Sequence, residues 1–456
     1  MKRSTVVTYL NRVSKAQDIR RKLLITLGIL ILYRFAAHFP VPGANREVIA
    51  GILQGGGPGA IFVGVLDLLS GGTVSNFSVM AMGVYPYITA QIILQLLVPI
   101  IPSWKARMED DQREGRRWME KWTMFLSIPM AALQAIGQIN LFNALAGVPV
   151  LDNFGFSGSA LLPSVAVIVS MTAGTMFGIW LGELISEYGL RQQGLSLIIF
   201  AGIVAQIPRN LRLLLSTQES RGFLIFFMLL ITAVTIFAIV YIQQGRRNVP
   251  VMYPGRRVGN RMSMPVKGTL PLMVNMAGMI PLIFAQSILT FPAVLASFFL
   301  ASQTEWLRNL ANWMQLNFGG GTGTYWFLYF LMVVAFTFFY TDVLFAQQNY
   351  GENLKRAGAQ IPGVSRGAKT QEYLTRVLRR ITLPGALFLG LIAVFPYLIS
   401  LLIPSLGAVG GGVNAGGIFL VSSSGLLIVV GVVRDVFFSI DAELKLHGYE
   451  DTLLVR

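Results

Sequence analysis

The chain contains no cysteine, which excludes disulfides, thiolate metal sites and cysteine nucleophiles. Its two histidines, His38 and His447, are too few for an imidazole cluster. Charge is scarce as well: 12% of residues are Asp, Glu, Lys or Arg, about half of what soluble domains carry. With 54% of the residues hydrophobic, this balance argues against a water-soluble globule. No Ser/His/Asp arrangement, pair of buried carboxylates or nucleotide fingerprint is present, so no enzyme is expected, and no cofactor or metal.

What remains is a series of long apolar segments. A membrane span needs roughly 20 mostly apolar residues. Ten candidates are found: Leu23 to Phe39, Asn76 to Val98, Trp122 to Phe142, Leu161 to Leu181, Leu195 to Leu215, Gly222 to Ile242, Leu270 to Pro292, Thr324 to Phe345, Ile381 to Ile403 and Ile418 to Ile440. The expected fold class is therefore an all-α polytopic membrane protein. Residues 1–22 form a basic amphipathic leader that lacks a small-residue cleavage site and is expected to stay.

The 36 Lys and Arg residues set the orientation, because short cytoplasmic loops keep positive charge. With the N-terminus inside, only Arg46, Arg209, Arg212, Arg221 and Arg308 fall outside and Arg34 lies in the first segment. Both termini, including the tail 441–456, are thus expected on the cytoplasmic side of the cytoplasmic membrane. The net charge of +15 is explained mainly by this bias and by anionic lipid. Two cytoplasmic loops exceed what orientation needs. Residues 243–268 and 346–380 are long, basic and punctuated by Gly and Pro, and are expected to stand out as ordered hairpins that could dock something acidic. The outer connectors "GGGPG", "GGGTG" and "GAVGGGVNAGG" are nearly uncharged and carry no phosphate-loop pattern.

Ionisable groups inside a membrane mark ion or proton routes. Here Arg34 stands almost alone, with Glu183, Asp342, Arg434 and Asp435 at cytoplasmic ends, which disfavours a proton- or sodium-coupled carrier. Buried amides such as Gln91, Gln95, Gln134, Gln138, Gln206, Asn275 and Gln286 have interhelical hydrogen bonding as their ordinary role. The second segment is the most informative. Gly71 and Gly72 interrupt it, so residues 62–72 read as a short half-inserted helix against a cavity, followed by a full helix from Asn76 to Val98 bent at Pro86.

The order of motifs "LYRFAAHFPVPG", "LLSGGTVSNFSVMAMGVYPYITAQIILQLL", "WLGELISEYG", "GLSLIIFAGIVAQIP", "PLMVNMAGMIPLIFAQSIL", "ENLKRAGAQIPG" and "SGLLIVVGVVRDV" resembles the SecY family of protein-translocation channels along essentially the whole chain. The resemblance implies two pseudo-symmetric five-helix halves, residues 23–215 and 222–440, around a central hourglass pore. It also implies a plug helix at 60–72, carrying Phe62, Val65, Leu66, Leu69, Gly71 and Gly72. The implied pore ring is Val84, Ile88, Leu195, Ile199, Ile280, Ile283 and Ile428, an aliphatic collar that closes by dewetting. Thr89, Asn275, Gln286 and Ser287 are implied fasteners of a lateral gate that admits signal peptides sideways into lipid. Arg246, Arg247, Arg256, Arg257, Lys355, Arg356 and Arg366 are implied docking residues for the SecA motor ATPase or a ribosome with its nascent chain. SecE and SecG are the implied small subunits.

Three departures from the family pattern stand out. "IPGVSRG" places Ser365 at the customary arginine and Arg366 one residue later, Gly255 and Met273 replace customary lysines, and "GLRQQGLS" lies between the fourth and fifth segments. A secondary transporter, which also uses broken helices, and a pore-free assembly factor are the alternatives.

Overall fold

The computed structural model describes residues 16–45, 48, 73–74, 77–98, 100–110, 112–146, 148–151, 154–155, 158–190, 194–216, 221–254, 257–258, 261–262, 266–297, 299, 304–318, 322–348, 350–402 and 423–446. Within them, α1 (Gln17–Ala36) opens with Asp18 and closes with Arg34, charges that complement the helix dipole. α2 (Tyr85–Leu97) turns by 101° into α3 (Pro102–Asp110). Next come α4 (Gln112–Ala146), α5 (Leu161–Tyr188), α6 (Gly194–Ser216) and α7 (Arg221–Gln244). Strands β1 (Arg246–Tyr253), β2 (Arg257–Val258), β3 (Arg261–Met262) and β4 (Val266–Met273) follow. The chain continues through α8 (Ile280–Ser297), α9 (Glu305–Phe318), α10 (Gly323–Gln348), α11 (Tyr350–Arg356), α12 (Ala368–Leu402) and α13 (Ser423–Leu446).

Each of the ten expected segments contains a helix. Among the described residues, helical stretches over Arg113–Asn143, Leu161–Tyr188, Gly323–Arg356 and Ala368–Phe395 are each long and apolar enough to cross a bilayer alone.

Two segments differ from expectation in the same way. The second was expected to be helical from Asn76, with Pro86 as an interior kink. Instead residues 77–84 form turns and α2 begins at Tyr85, so Pro86 sits in the first helical turn, where its missing N–H costs nothing. The seventh was expected to start at Leu270. Its first residues belong to β4, and α8 begins only at Ile280, with Pro281 next. In both cases a glycine in the left-handed region, Gly83 (φ 52°) or Gly278 (φ 66°), lies two residues before the helix. Hydropathy alone cannot report that backbone sign, and the Gly-x-x-Pro spacing was its only trace.

Non-helical backbone is tolerated at membrane depth only where protein covers it. The 73–84 stretch meets this condition with its own hydrogen bonds. Thr73 Oγ1 donates to the Met80 carbonyl at 2.7 Å, Val79 N to the Phe39 carbonyl at 2.9 Å and Val41 N to the Phe77 carbonyl at 3.0 Å. Phe77 is fully buried, edge-on to Phe142 of α4.

Helix packing sorts the molecule into α1, α2, α4, α5 and α6 on one side and α7, α8, α10, α12 and α13 on the other. The two sets meet along a front, where α8 packs against α2 and α4, and along a back, where α13 touches α1 and α6 and α7 touches α6. Small residues allow the closest approaches. A Cβ at Gly194 would lie 1.7 Å from the Gly182 carbonyl oxygen, so the backbones of α5 and α6 touch there.

The back is pinned by an ion pair between Lys22 of α1 and the buried Glu443 of α13. Lys22→Glu is expected to lower stability by about 1–3 kcal/mol, the cost of leaving a buried carboxylate without its charged donor and facing a second carboxylate. Thermal unfolding in detergent should show the loss and its recovery in the swapped Lys22→Glu/Glu443→Lys protein. No recovery would mean that the pair adds nothing.

Candidate functional site

The late starts of α2 and α8 bring their first turns to the centre of the helix array. There one continuous hydrophobic cluster gathers Val84, which caps α2, Ile199 of α6, Ile283 of α8 and Ile428 of α13, all buried. Ile88 and Leu195 pack against this cluster, each half-buried. Leu195 lies on the Gly182 face of α5: a Cβ built on that glycine would meet Leu195 Cδ2 at 2.8 Å. Ile280 belongs instead to a neighbouring cluster with Ile88, Ile92, Phe284 and Tyr340. Helices from both sides of the array thus contribute aliphatic side chains to one large cluster, whose members run from Ala16 to Leu444. Buried branched side chains of this kind keep water out and carry no hydrogen-bonding group.

The neighbouring cluster forms the seam. Ile92 of α2, Phe284 of α8 and Tyr340 of α10 meet there, with Phe284 edge-on to Tyr340 at 5.6 Å. Thr89, Asn275, Gln286 and Ser287 are all buried. Thr89 donates to the Tyr85 carbonyl at 3.0 Å and accepts from Gln134 Nε2 of α4 at 3.4 Å. Asn275 works inside its own turn: its Oδ1 accepts from Gly278 N at 2.9 Å and its Nδ2 donates to the Gly278 carbonyl at 3.1 Å. That clasp holds the positive φ from which α8 starts. Ser287 Oγ has no hydrogen-bond partner among the described residues, while its carbonyl accepts from Tyr85 Oη at 3.1 Å. Tyr85 therefore joins α2 to α8 directly across the front. Sequence reasoning missed it, and the "YPY" beside Gly83 was the available signal.

The two basic loops form one unit. β1 and β4 pair antiparallel from Arg246↔Met273 to Tyr253↔Val266. Met252 and Gln360 then exchange two backbone hydrogen bonds of 2.9 Å, which ties the hairpin to the turn after α11. Beneath them Val249, Val251 and Leu272 of the hairpin pack with Leu354, Ile361, Leu374 and Leu378 as a separate small core. Only the first loop is a strand hairpin. The second is α11, a turn and the start of α12.

Arg246 and Arg247 are exposed at the hairpin base, and Lys355 and Arg356 flank Glu352 on α11. Arg366 is exposed, and its Nε donates to Gln360 Oε1 at 3.1 Å. The Ser365 carbonyl accepts from Thr370 Oγ1 at 2.8 Å and starts α12. Of Arg257 only its place in β2 is described. Arg256 and the expected plug residues Phe62, Val65, Leu66, Leu69, Gly71 and Gly72 lie outside the described residues.

Split helices meeting at an aliphatic centre beside a two-sided seam define a polytopic membrane channel fold. The family model described as SecY matches residues 78–437, and the chain belongs to that family. A protein translocase subunit SecY from Streptomyces coelicolor is 35% identical over 98% of this chain and 100% of its own length. Those of Aquifex aeolicus and Halalkalibacterium halodurans are 36% and 37% identical, each over 97% of this chain and 98% of their own. A solved structure described as a protein-conducting channel shares the fold, with a TM-score of 0.61 and 17% identity over 95% of both chains. A second, with 19% identity and the same TM-score and coverage, concerns the SecY plug domain and the closed state of the translocation channel. The chain is thus a membrane protein-translocation channel and not an enzyme.

Proposed function

We propose that this chain passes unfolded secretory polypeptides across the cytoplasmic membrane through the collar, and releases signal peptides and transmembrane segments sideways between α2 and α8. One observation carries the reading: Val84, Ile199, Ile283 and Ile428 share one buried aliphatic cluster, and Val84 adjoins Tyr85, whose hydroxyl bonds α8 at Ser287. In this reading both termini are cytoplasmic, residues 60–72 are the plug, and SecE and SecG accompany the channel. Because the collar has no chemistry of its own, the drive comes from SecA, from a ribosome extending its nascent chain, or from the membrane potential, worth about 2.3 kcal/mol per charge per 100 mV.

The absence of cysteine makes any introduced thiol unique. In Ile199→Cys, a secretory chain trapped halfway across reconstituted vesicles is expected to form a disulfide with residue 199 and none with the exposed control Phe226→Cys. A trapped chain that never crosslinks at 199 sinks the collar assignment.

The basic platform takes the acidic partner. Charge reversal at Arg256 and Arg366 together is expected to weaken SecA or ribosome binding, and the loss should shrink as salt screens the remaining attraction. Binding that is unchanged at physiological salt would remove these two arginines from the docking site.

A further inference from the structure

We propose that α9 is an interfacial anchor whose partner is phospholipid, lying along the lipid–water boundary on the face opposite the basic loops. No apolar segment was expected there, because the helix is too polar to read as a span. At 1.5 Å per residue its 14 residues reach about 21 Å, short of the roughly 30 Å hydrocarbon core. It is therefore too short to span, and its exposed polar residues favour a position along the bilayer surface over a re-entrant one.

Its side chains divide the helix into three faces. Ala311 is buried, and Phe318 packs on Leu141 of α4 and Ala293 of α8, so one face belongs to the protein. Glu305, Arg308 and Asn312 are exposed on a second. Trp306, Leu310, Trp313 and Leu316 fall within an arc of roughly 120° by helical geometry, and all four are exposed, Trp306 by 64% and Leu316 by 63%; Asn309 and Asn317 share the arc, so the face is mainly apolar with two amides in it. A protein face, a polar face and an apolar face with two tryptophans suit a helix that touches protein, water and lipid at once, since Trp concentrates at membrane interfaces.

Three further observations name lipid as the occupant. First, the apolar face continues onto surface that faces lipid: Phe327 and Leu331 are exposed on α10, which is long and apolar enough to span. Second, the last turn has its backbone acceptors satisfied from within. The Trp313 carbonyl accepts from Asn317 Nδ2 at 2.8 Å and the Leu316 carbonyl from Thr322 Oγ1 at 3.2 Å. Such bonds are compatible with a helix end against hydrocarbon, where no water is available to the carbonyls. Third, chain direction fixes the side. α8 runs away from β4, α9 follows its far end, and α10 returns to the turn that bridges β1. Because α9 follows α8 and packs along it, lipid that holds α9 also holds the outer end of the seam helix.

The test uses single cysteines carrying a nitroxide, with the whole complex in vesicles of phosphatidylethanolamine and phosphatidylglycerol. Collisions with oxygen, which concentrates in lipid, are compared with those of a water-soluble nickel chelate. At Leu310→Cys and Trp313→Cys the oxygen-to-chelate ratio is expected to be several-fold higher than at Arg308→Cys and Asn312→Cys. If Trp313→Cys fails to insert, Leu316→Cys reads the same face. Equal chelate access at all positions would mean a solvated helix and overturn the proposal. Shielding of 310 and 313 from both reagents would also overturn it: relief on dilution would make a second copy the occupant, and persistence another subunit.

Discussion

Replacing Gly174 by leucine is expected to destabilise the N-terminal half strongly. A Cβ there would stand 2.3 Å from the Val79 carbonyl oxygen and 2.8 Å from both its carbonyl carbon and its Cγ1. Overpacking ordinarily costs about 1–3 kcal/mol where side chains can shift. Here the obstacle is backbone that cannot shift alone. Val79 N is committed to the Phe39 carbonyl, Met80 N to Ser78 Oγ at 3.1 Å, and the Met80 carbonyl to Thr73. Moving Val79 therefore undoes the satisfied turn from which α2 starts. Unfolding in detergent should lose more than about 3 kcal/mol, and vesicles should lose translocation with it. Gly174→Ala, which adds the Cβ alone, should fall between the two proteins. A leucine variant as stable and active as the parent would mean that α5 does not seat the turn.

The largest effect on permeability is expected from Ile199→Asp. Ile199 is buried in the same hydrophobic cluster as Val84, Ile283 and Ile428, and that cluster holds no cation among the described residues. A carboxylate at that point cannot stay dry, because an isolated buried charge costs far more than the packing it replaces. Water enters to solvate it, and the dewetting barrier against ions falls. A barrier lowered by about 1.4 kcal/mol raises the leak tenfold, so at least that increase in conductance is expected across planar bilayers. Ile199→Leu keeps the volume and should stay tight. A tight aspartate channel would place the seal elsewhere in the chain.

These expectations use geometry that the sequence disclosed unevenly. Long apolar segments such as Leu161 to Leu181 declared their helices because lipid leaves the backbone no other partner. The same composition hid the two half-helices, since Val79, Met80 and Met82 are as apolar in a turn as in a helix. Leu270 and Leu272 counted toward a span, yet they alternate on a strand whose partner, β1, begins more than twenty residues earlier. The collar was visible only through family resemblance, as each member is an ordinary branched residue in an apolar helix. Asn275 drew notice as a buried amide, but no sequence pattern revealed that its amide closes the Gly278 turn. Tyr85 and the Lys22–Glu443 pair escaped because their partners lie 202 and 421 residues away.

The double hydrogen bond between Met252 and Gln360 has a mechanical meaning. It welds two loops that are distant in sequence into a handle with its own small core, and β4 leaves that handle only six residues before α8 begins. Val274 N, bonded to the Gly245 carbonyl at 2.9 Å, shortens the tether further. A force applied to the handle thus reaches the helix that forms one lip of the seam with almost no slack. The loops proposed as a docking platform therefore also hold leverage on α8.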